Sequence, residues 1–330
     1  MMYNKKAKNK TNRYKKKPLK KSKKYILVKH KLKKRINRKK KFIKLNFIIL
    51  IVILIIFIAL FLIFFNIKSI KIIILHLFNI SIDYLNIYIV THKDFNNTLN
   101  NQYYKIICDN KTQLLNQYQI EIIETYKNNE LYSKKRGYCE GSKIYYIWKN
   151  YKQKKIVSKY VGFVHYRRFF NFTNNIPNLD EIFTKYDAII NTKIIFDTSV
   201  KTQFSNCHFK KFLDEIEEII KENFTEYYPQ SQKTLYRKVM NCCNIFIMKK
   251  EDFINYGEFV FGVLLEFDRR HNLKNDKDIQ DLIELEIKRT GKLTNKAYQC
   301  RQEGFLMERI SSIFYDYKFE KRLEIPIIFQ

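Results

Sequence analysis

The chain carries three hydrophobic patterns in succession. Residues 1–46 have almost no apolar periodicity, Phe47 to Phe65 (FIILIVILIIFIALFLIFF) is an unbroken run of 19 apolar residues, and from residue 83 short apolar runs alternate with amphipathic stretches. At about 1.5 Å of rise per residue, a helix over that run nearly matches the roughly 30 Å hydrocarbon core of a bilayer. The run therefore predicts a transmembrane helix, taken as residues 47–67, with residues 68–82 as a stem.

Beyond the stem, runs rich in Ile and aromatic residues at Leu85–Val90 (LNIYIV), Tyr103–Cys108 (YYKIIC), Asp187–Asn191 (DAIIN) and Cys243–Met248 (CNIFIM) predict β-strands. Tyr138–Asn150 (YCEGSKIYYIWKN) spaces Tyr145, Tyr146 and Trp148 as a helix does; these aromatics read as core. Phe212–Asn223 predicts an amphipathic helix with its acids outward, and Phe253–Asp268 an aromatic-rich helix. Strands alternating with helices predict an α/β sheet flanked by helices over residues 83–330.

The densest chemistry lies in Tyr160–Phe170 (YVGFVHYRRFF), where an apolar strand runs into His165, Tyr166, Arg167 and Arg168. Open α/β sheets hold their ligands at the C-terminal ends of strands, so paired guanidiniums there read as an anion site. An edge strand whose arginines face water is the other reading. Other polar groups close apolar segments: Thr91, His92 and Lys93 after the first strand, Glu140 at the start of a helix, Asn244 before NIFIMKK, and Glu308 with Arg309 in GFLMERI. Asp276-Lys277-Asp278 has the spacing of a metal-binding DxD, but its polar surroundings (HNLKNDKDIQD) read as a solvated loop or helix cap. His208, alone before an amphipathic helix, reads as structural or as a ligand contact.

Charge changes the picture of the N-terminus. The formal net charge is +31, and residues 1–46 hold 22 Lys and Arg with no Asp or Glu, leaving +7 on residues 83–330. Positive charge before an apolar run, with only Lys68 and Lys71 closely after it, places residues 1–46 in the cytosol and predicts a type II signal anchor. The tail then reads as a topology determinant that touches anionic lipid, and a nucleic-acid partner is not expected. None of the six cysteines forms a CxxC or a His/Cys cluster, which argues against structural zinc, while an oxidising lumen leaves one long-range disulfide open. Sequons stand at Asn79, Asn96, Asn110, Asn171 and Asn223; a glycan at Asn171 would crowd the arginine pair, so that sequon is expected to stay unused.

Taken in order, YCEGSKIYYIWKN, YVGFVHYRRFF, NIFIMKK and GFLMERI, with Thr91-His92-Lys93 after the first strand, resemble the glycosyltransferase-like domain of capsular polysaccharide synthesis proteins, whose signature is a HYRR tetrad. The resemblance covers roughly residues 85–326 and departs from the family's usual pattern in LYSKKRG before the YCE motif and Gly141-Ser142 after it. It implies a GT-A-like fold that binds a nucleotide-sugar donor, with Thr91, His92, Lys93, His165, Tyr166, Arg167 and Arg168 as donor-binding residues. Arg167 and Arg168 would neutralise the diphosphate leaving group, a task that a divalent metal also performs, so metal dependence stays open.

Glu308 is then the catalytic acid/base or acceptor-binding candidate, an internal ion pair with Arg309 being the alternative. Glu140, Asn244 and Arg309 are acceptor-binding or supporting groups, Glu140 being expected to pair with Arg167 or Arg168. The function so implied is a membrane-anchored glycosyltransferase, transferring a hexosyl or related group to a glycan or other acceptor in a Golgi-type lumen. A catalytically inactive, membrane-anchored module that binds glycans or a partner on the same fold is the alternative. On carbonate extraction the full chain is expected to stay with the membrane fraction; its release into the supernatant would remove the anchor from this picture.

Overall fold

The computed structural model describes residues 50–55, 58, 83–95, 102–114, 118–172 and 176–329. The basic tail, most of the 47–67 run and the 68–82 stem, with Asn79 and Asn96, lie outside them. Leu50–Ile55 and Ile58 are helical and exposed. Among the described residues no helix is long and apolar enough to cross a membrane.

Residues 81–330 form one compact unit built on a mixed sheet. Its strands are β1 (Asp83–Val90), β2 (Tyr104–Cys108), β3 (Ile122–Glu124), β4 (Ser158–His165), β5 (Arg168–Phe170), β6 (Ala188–Asn191), β9 (Phe246–Lys249), β10 (Arg322–Ile325) and β11 (Ile327–Phe329). β7 (Ile194–Ile195) and β8 (Val239–Met240) pair separately. The main order is β10-β6-β9-β4-β1-β2-β3, with β5 joining β4 and β11 joining β5. β1, β2, β3 and β4 run parallel, whereas β9 runs antiparallel between β4 and β6. The start of β9 therefore lies at the same edge as the ends of β1 and β4.

The two-residue period of a strand sends alternate side chains to opposite faces. Val161 and Phe163 of β4 enter one core layer with α1 (Gly141–Lys152), α4 (Lys210–Asn223), α5 (Lys250–Arg270) and α7 (Gln302–Lys318). Tyr160, Val164 and Tyr166 enter the other, with α2 (Leu179–Lys185), β5 and β11. In the first layer Trp148 donates its indole N–H to the Ile254 carbonyl at 3.0 Å, and Tyr145 packs edge-on to Phe261, so these aromatics are core.

Two sequence expectations are corrected here. The Cys243–Met248 strand begins only at Phe246, because Cys243 (φ 73°) and Asn244 (φ 48°) occupy left-handed backbone conformations that no strand accommodates. All six cysteines are free, so the long-range disulfide left open above is not formed. The Asp276/Asp278 pair serves helix capping: α6 (Asp276–Thr290) starts at Asn275 in a capping box with Asp278, and Asp276 accepts the Arg136 N–H at 3.1 Å.

One buried carboxyl sits awkwardly in this core. Glu303, in the first turn of α7, is fully buried with neither carboxyl oxygen hydrogen-bonded, beside Asp268, which is itself paired with Lys134 and with the Tyr138 hydroxyl. Burial, reinforced by the Asp268 charge, pushes Glu303 up to about 8. The folded chain holds this proton at pH values where the unfolded chain, with an ordinary carboxyl near roughly 4.3, has released it. Stability from this group is thus full below the unfolded value and is lost as pH rises toward 8. The wild-type melting temperature is expected to fall between pH 5 and 8, and to fall less in Glu303→Gln; equal falls in the two proteins would contradict this account.

Candidate active site

Three chain segments meet at the C-terminal edge of β1 and β4. The first is Thr91-His92-Lys93, which leaves β1. Thr91 is buried, and its hydroxyl accepts the Lys93 N–H at 3.2 Å, so it shapes the loop instead of facing a ligand. The second is the HYRR turn. Tyr166 donates its N–H to the Val90 carbonyl at 3.1 Å, which ties the turn to the end of β1. The chain then reverses, and Arg168 pairs back with His165 across β4 and β5.

The reversal separates the four side chains. Tyr166 is buried in the second core layer, where the His92 ring meets it edge-on at 5.2 Å and Lys93 and Arg167 lie over it at 5.8 and 5.0 Å. Cationic groups gather on the negative face of one aromatic ring. Arg167 is exposed, and Arg168 lies over Phe329 of β11 at 5.8 Å. Among the described residues neither guanidinium has a carboxylate within 4.0 Å. Burial, followed by the charges of Lys143, Lys93 and Arg167, lowers the His92 ring below its usual value.

His165 keeps the parity of Val161 and Phe163 and so faces the helical layer, opposite Tyr166. There its Nε2 lies 3.9 Å from Glu140 Oε1, at the N-terminus of α1. Nε2 is buried without a hydrogen-bond partner. Burial holds this ring below its usual value; Glu140 and the Cys243 backbone act the other way, and Arg168 and Arg167 lower it further. Glu140 does not pair with Arg167 or Arg168 as the sequence suggested. It belongs to the helix side of the sheet, and its Oε1 accepts Asn244 Nδ2 at 3.1 Å instead.

The third segment is the Cys243–Asn244 turn ahead of β9. Its left-handed backbone aims the Cys243 N–H at Glu308 Oε1, 3.0 Å away, while Glu308 Oε2 pairs with Arg309 at 3.0 Å. Glu308 is partly exposed, with 21% of its side chain accessible. Burial raises its carboxyl above the usual range, Arg309 counteracts this, and the Glu140 charge adds to it. Arg309 is buried and turned inward, donating to Gln203 Oε1 at 2.7 Å and to the Phe305 carbonyl. The structure thus brings His92, Lys93, Tyr166 and Arg167 together in one group. It brings His165, Glu140, Asn244 and Glu308 together in another, and leaves Thr91 and Arg309 in supporting positions.

His208 is a buried packing residue. It bonds Gln299 at 3.1 Å and stacks on Phe305, and burial lowers its ring to about 4. Residues that sequence reading passed over complete the wall: Asp109, immediately after β2, is buried and paired at 2.8 Å with Lys143 of α1, whose charge reaches His92. The rule that singled out Thr91 to Lys93, polar residues just past an apolar strand, also applies to Asp109. Among the described residues no group of three or more His, Cys, Asp or Glu side chains is placed to hold a metal ion.

Comparison with known proteins agrees with this architecture. Residues 86–284 match a family model described as "Domain of unknown function (DUF4422)". No curated protein matches the chain. The apo structure of the WbbM bifunctional glycosyltransferase is similar in fold, with a TM-score of 0.56 at 19% identity over 75% of this chain and 45% of that one. The aligned part of this chain thus spans less than half of that protein.

Proposed function

The chain belongs to the DUF4422 family, and from the likeness of its fold to a glycosyltransferase we propose that it moves a sugar from a nucleoside-diphosphate donor to a glycan or other hydroxyl-bearing acceptor. The observation that carries this reading is the pair Arg167 and Arg168, two guanidiniums without carboxylate partners among the described residues, at the ligand-binding edge of a sheet similar to that of a glycosyltransferase. Glycosyl transfer leaves negative charge on the departing diphosphate. Fixed guanidiniums match its oxygens in geometry and charge, and Lys93 adds a third cation beside Arg167 over the same Tyr166 ring. Glu308, held by the Cys243 N–H and Arg309 with 21% of its side chain accessible, is the carboxylate offered to the acceptor side.

The run at residues 47–67 supports a membrane-anchored reading, with residues 1–46 in the cytosol and residues 83–330 in a Golgi-type lumen, where nucleotide sugars are imported. A divalent cation would assist the same leaving group, and chelator sensitivity of transfer measures its share.

Calorimetric titration of the full-length chain with uridine and guanosine diphosphates tests the anion site. A guanidinium–phosphate contact of about 1.5–3 kcal/mol corresponds to roughly a tenfold or greater loss of affinity in each of Arg167→Ala and Arg168→Ala. Unchanged affinity in both variants would sink the proposed role of the arginines, and no binding by the wild type would sink the donor reading itself.

A further inference from the structure

We infer that His165 is the proton acceptor for the incoming hydroxyl and that Glu140 is its positioning residue. This inference rests on the glycosyltransferase reading above and adds a role that the arginine site does not contain.

Three observations carry it. First, His165 Nε2 is buried and unpartnered 3.9 Å from Glu140 Oε1, and that oxygen also takes the Asn244 amide. With the ring neutral and Nε2 unprotonated, two acceptors face each other with no donor between them. A buried acceptor left unsatisfied is destabilising, so the site is built for a group that brings a proton. Second, a hydroxyl has one proton to give, which Nε2 takes, while the Glu140 oxygen 3.9 Å away already accepts the Asn244 amide and faces the imidazolium that forms.

Third, the carboxylate is held in place by a buried relay. The Tyr256 hydroxyl shares a 2.8 Å hydrogen bond with Ser311 Oγ, Ser311 donates to Asn244 Oδ1 at 2.9 Å, and Asn244 Nδ2 donates to Glu140. Asn244 keeps a left-handed backbone to stand in this relay. A carboxylate fixed from three elements is preorganised toward the imidazole. The pair lies at the floor of the edge with about one-seventh of each side chain accessible, 15% for His165 and 13% for Glu140.

The step balances. The acceptor O–H proton passes to His165 Nε2, and the freed oxygen electron pair forms the bond to the anomeric carbon. The bond from that carbon to the diphosphate oxygen breaks, and its electron pair departs with the nucleoside diphosphate toward Arg167 and Arg168. The Glu140 carboxylate stabilises the imidazolium, which returns its proton to water after product release.

The test uses the full-length chain with uridine- and guanosine-diphosphate hexoses, water as acceptor and nucleoside diphosphate release as the signal. His165→Ala is expected to lower kcat about a hundredfold, the usual scale of one general base, while the affinity for the free nucleoside diphosphates stays the same. Added imidazole should restore part of the rate in His165→Ala, which a purely structural role would not produce. His165→Gln, which fills the space with a poor base, should lose rate similarly without imidazole rescue. Glu140→Gln keeps an oxygen for Asn244 but brings an N–H to Nε2, and should also lower kcat more than it changes KM.

Unchanged kcat in either His165 variant, or a loss in His165→Ala that imidazole does not restore, overturns the inference while leaving the donor site standing. A wild-type chain that binds the nucleotides without releasing nucleoside diphosphate from the sugar donors overturns this inference alone, and one that does neither overturns both readings.

Discussion

The register of β4 is the constraint on which the candidate site depends. β4 lies between β1, parallel to it, and β9, antiparallel to it, with His165 opposite Val90 and Gly162 opposite Ile247. A one-residue slip would exchange the two faces and send His165 away from Glu140. Close packing around Gly162 resists such a slip: a methyl group there would stand 2.8 Å from Ile247 and 3.2 Å from Ile87. The absence of a side chain at one strand position thus holds the imidazole several residues later on the helical side.

From that register follows a division of labour within four consecutive residues. His165 is delivered to the carboxylate side, Tyr166 anchors the turn in the opposite core, and the two arginines stay free of acidic partners among the described residues. Cations without acidic partners in the protein suit an anion that arrives from solution. Polar groups on the other side are, by contrast, largely satisfied by one another. Tyr256, Ser311, Asn244 and Glu140 form a continuous chain, and Glu308 is held at both oxygens. Such a network is rigid, which favours chemistry that depends on position over binding that depends on adaptation.

Much of the fold was legible in the chain because its signals are local. Apolar runs at residues 85–90, 103–108 and 187–191 became strands within two residues at each end, and the helices at 212–223 and 253–268 needed only lengthening. CNIFIM misled because its first half satisfies a long-range contact: Cys243 and Asn244 give up strand geometry to bond Glu308 and Glu140. The same cause hid Glu140's partner. Charge alone points a carboxylate toward the nearest arginines, whereas strand parity, which decides what it meets, emerges only with the register. Asp109 was overlooked although it follows a readable pattern, since nothing local signals the buried ion pair that joins it to Lys143.

The pairing of β11 with β5 sets Phe329 opposite Arg168, so the floor under one of the two arginines is contributed by the far end of the domain's sequence. Contacts this distant along the chain close late in folding, because loop entropy must be met before they form. A chain emerging from the ribosome can lay down β1 to β4 and the HYRR turn long before that floor exists. The candidate edge therefore depends on a pairing between strands far apart in the chain, and a domain with its central strands in place but β11 unpaired would lack the ring that lies under Arg168.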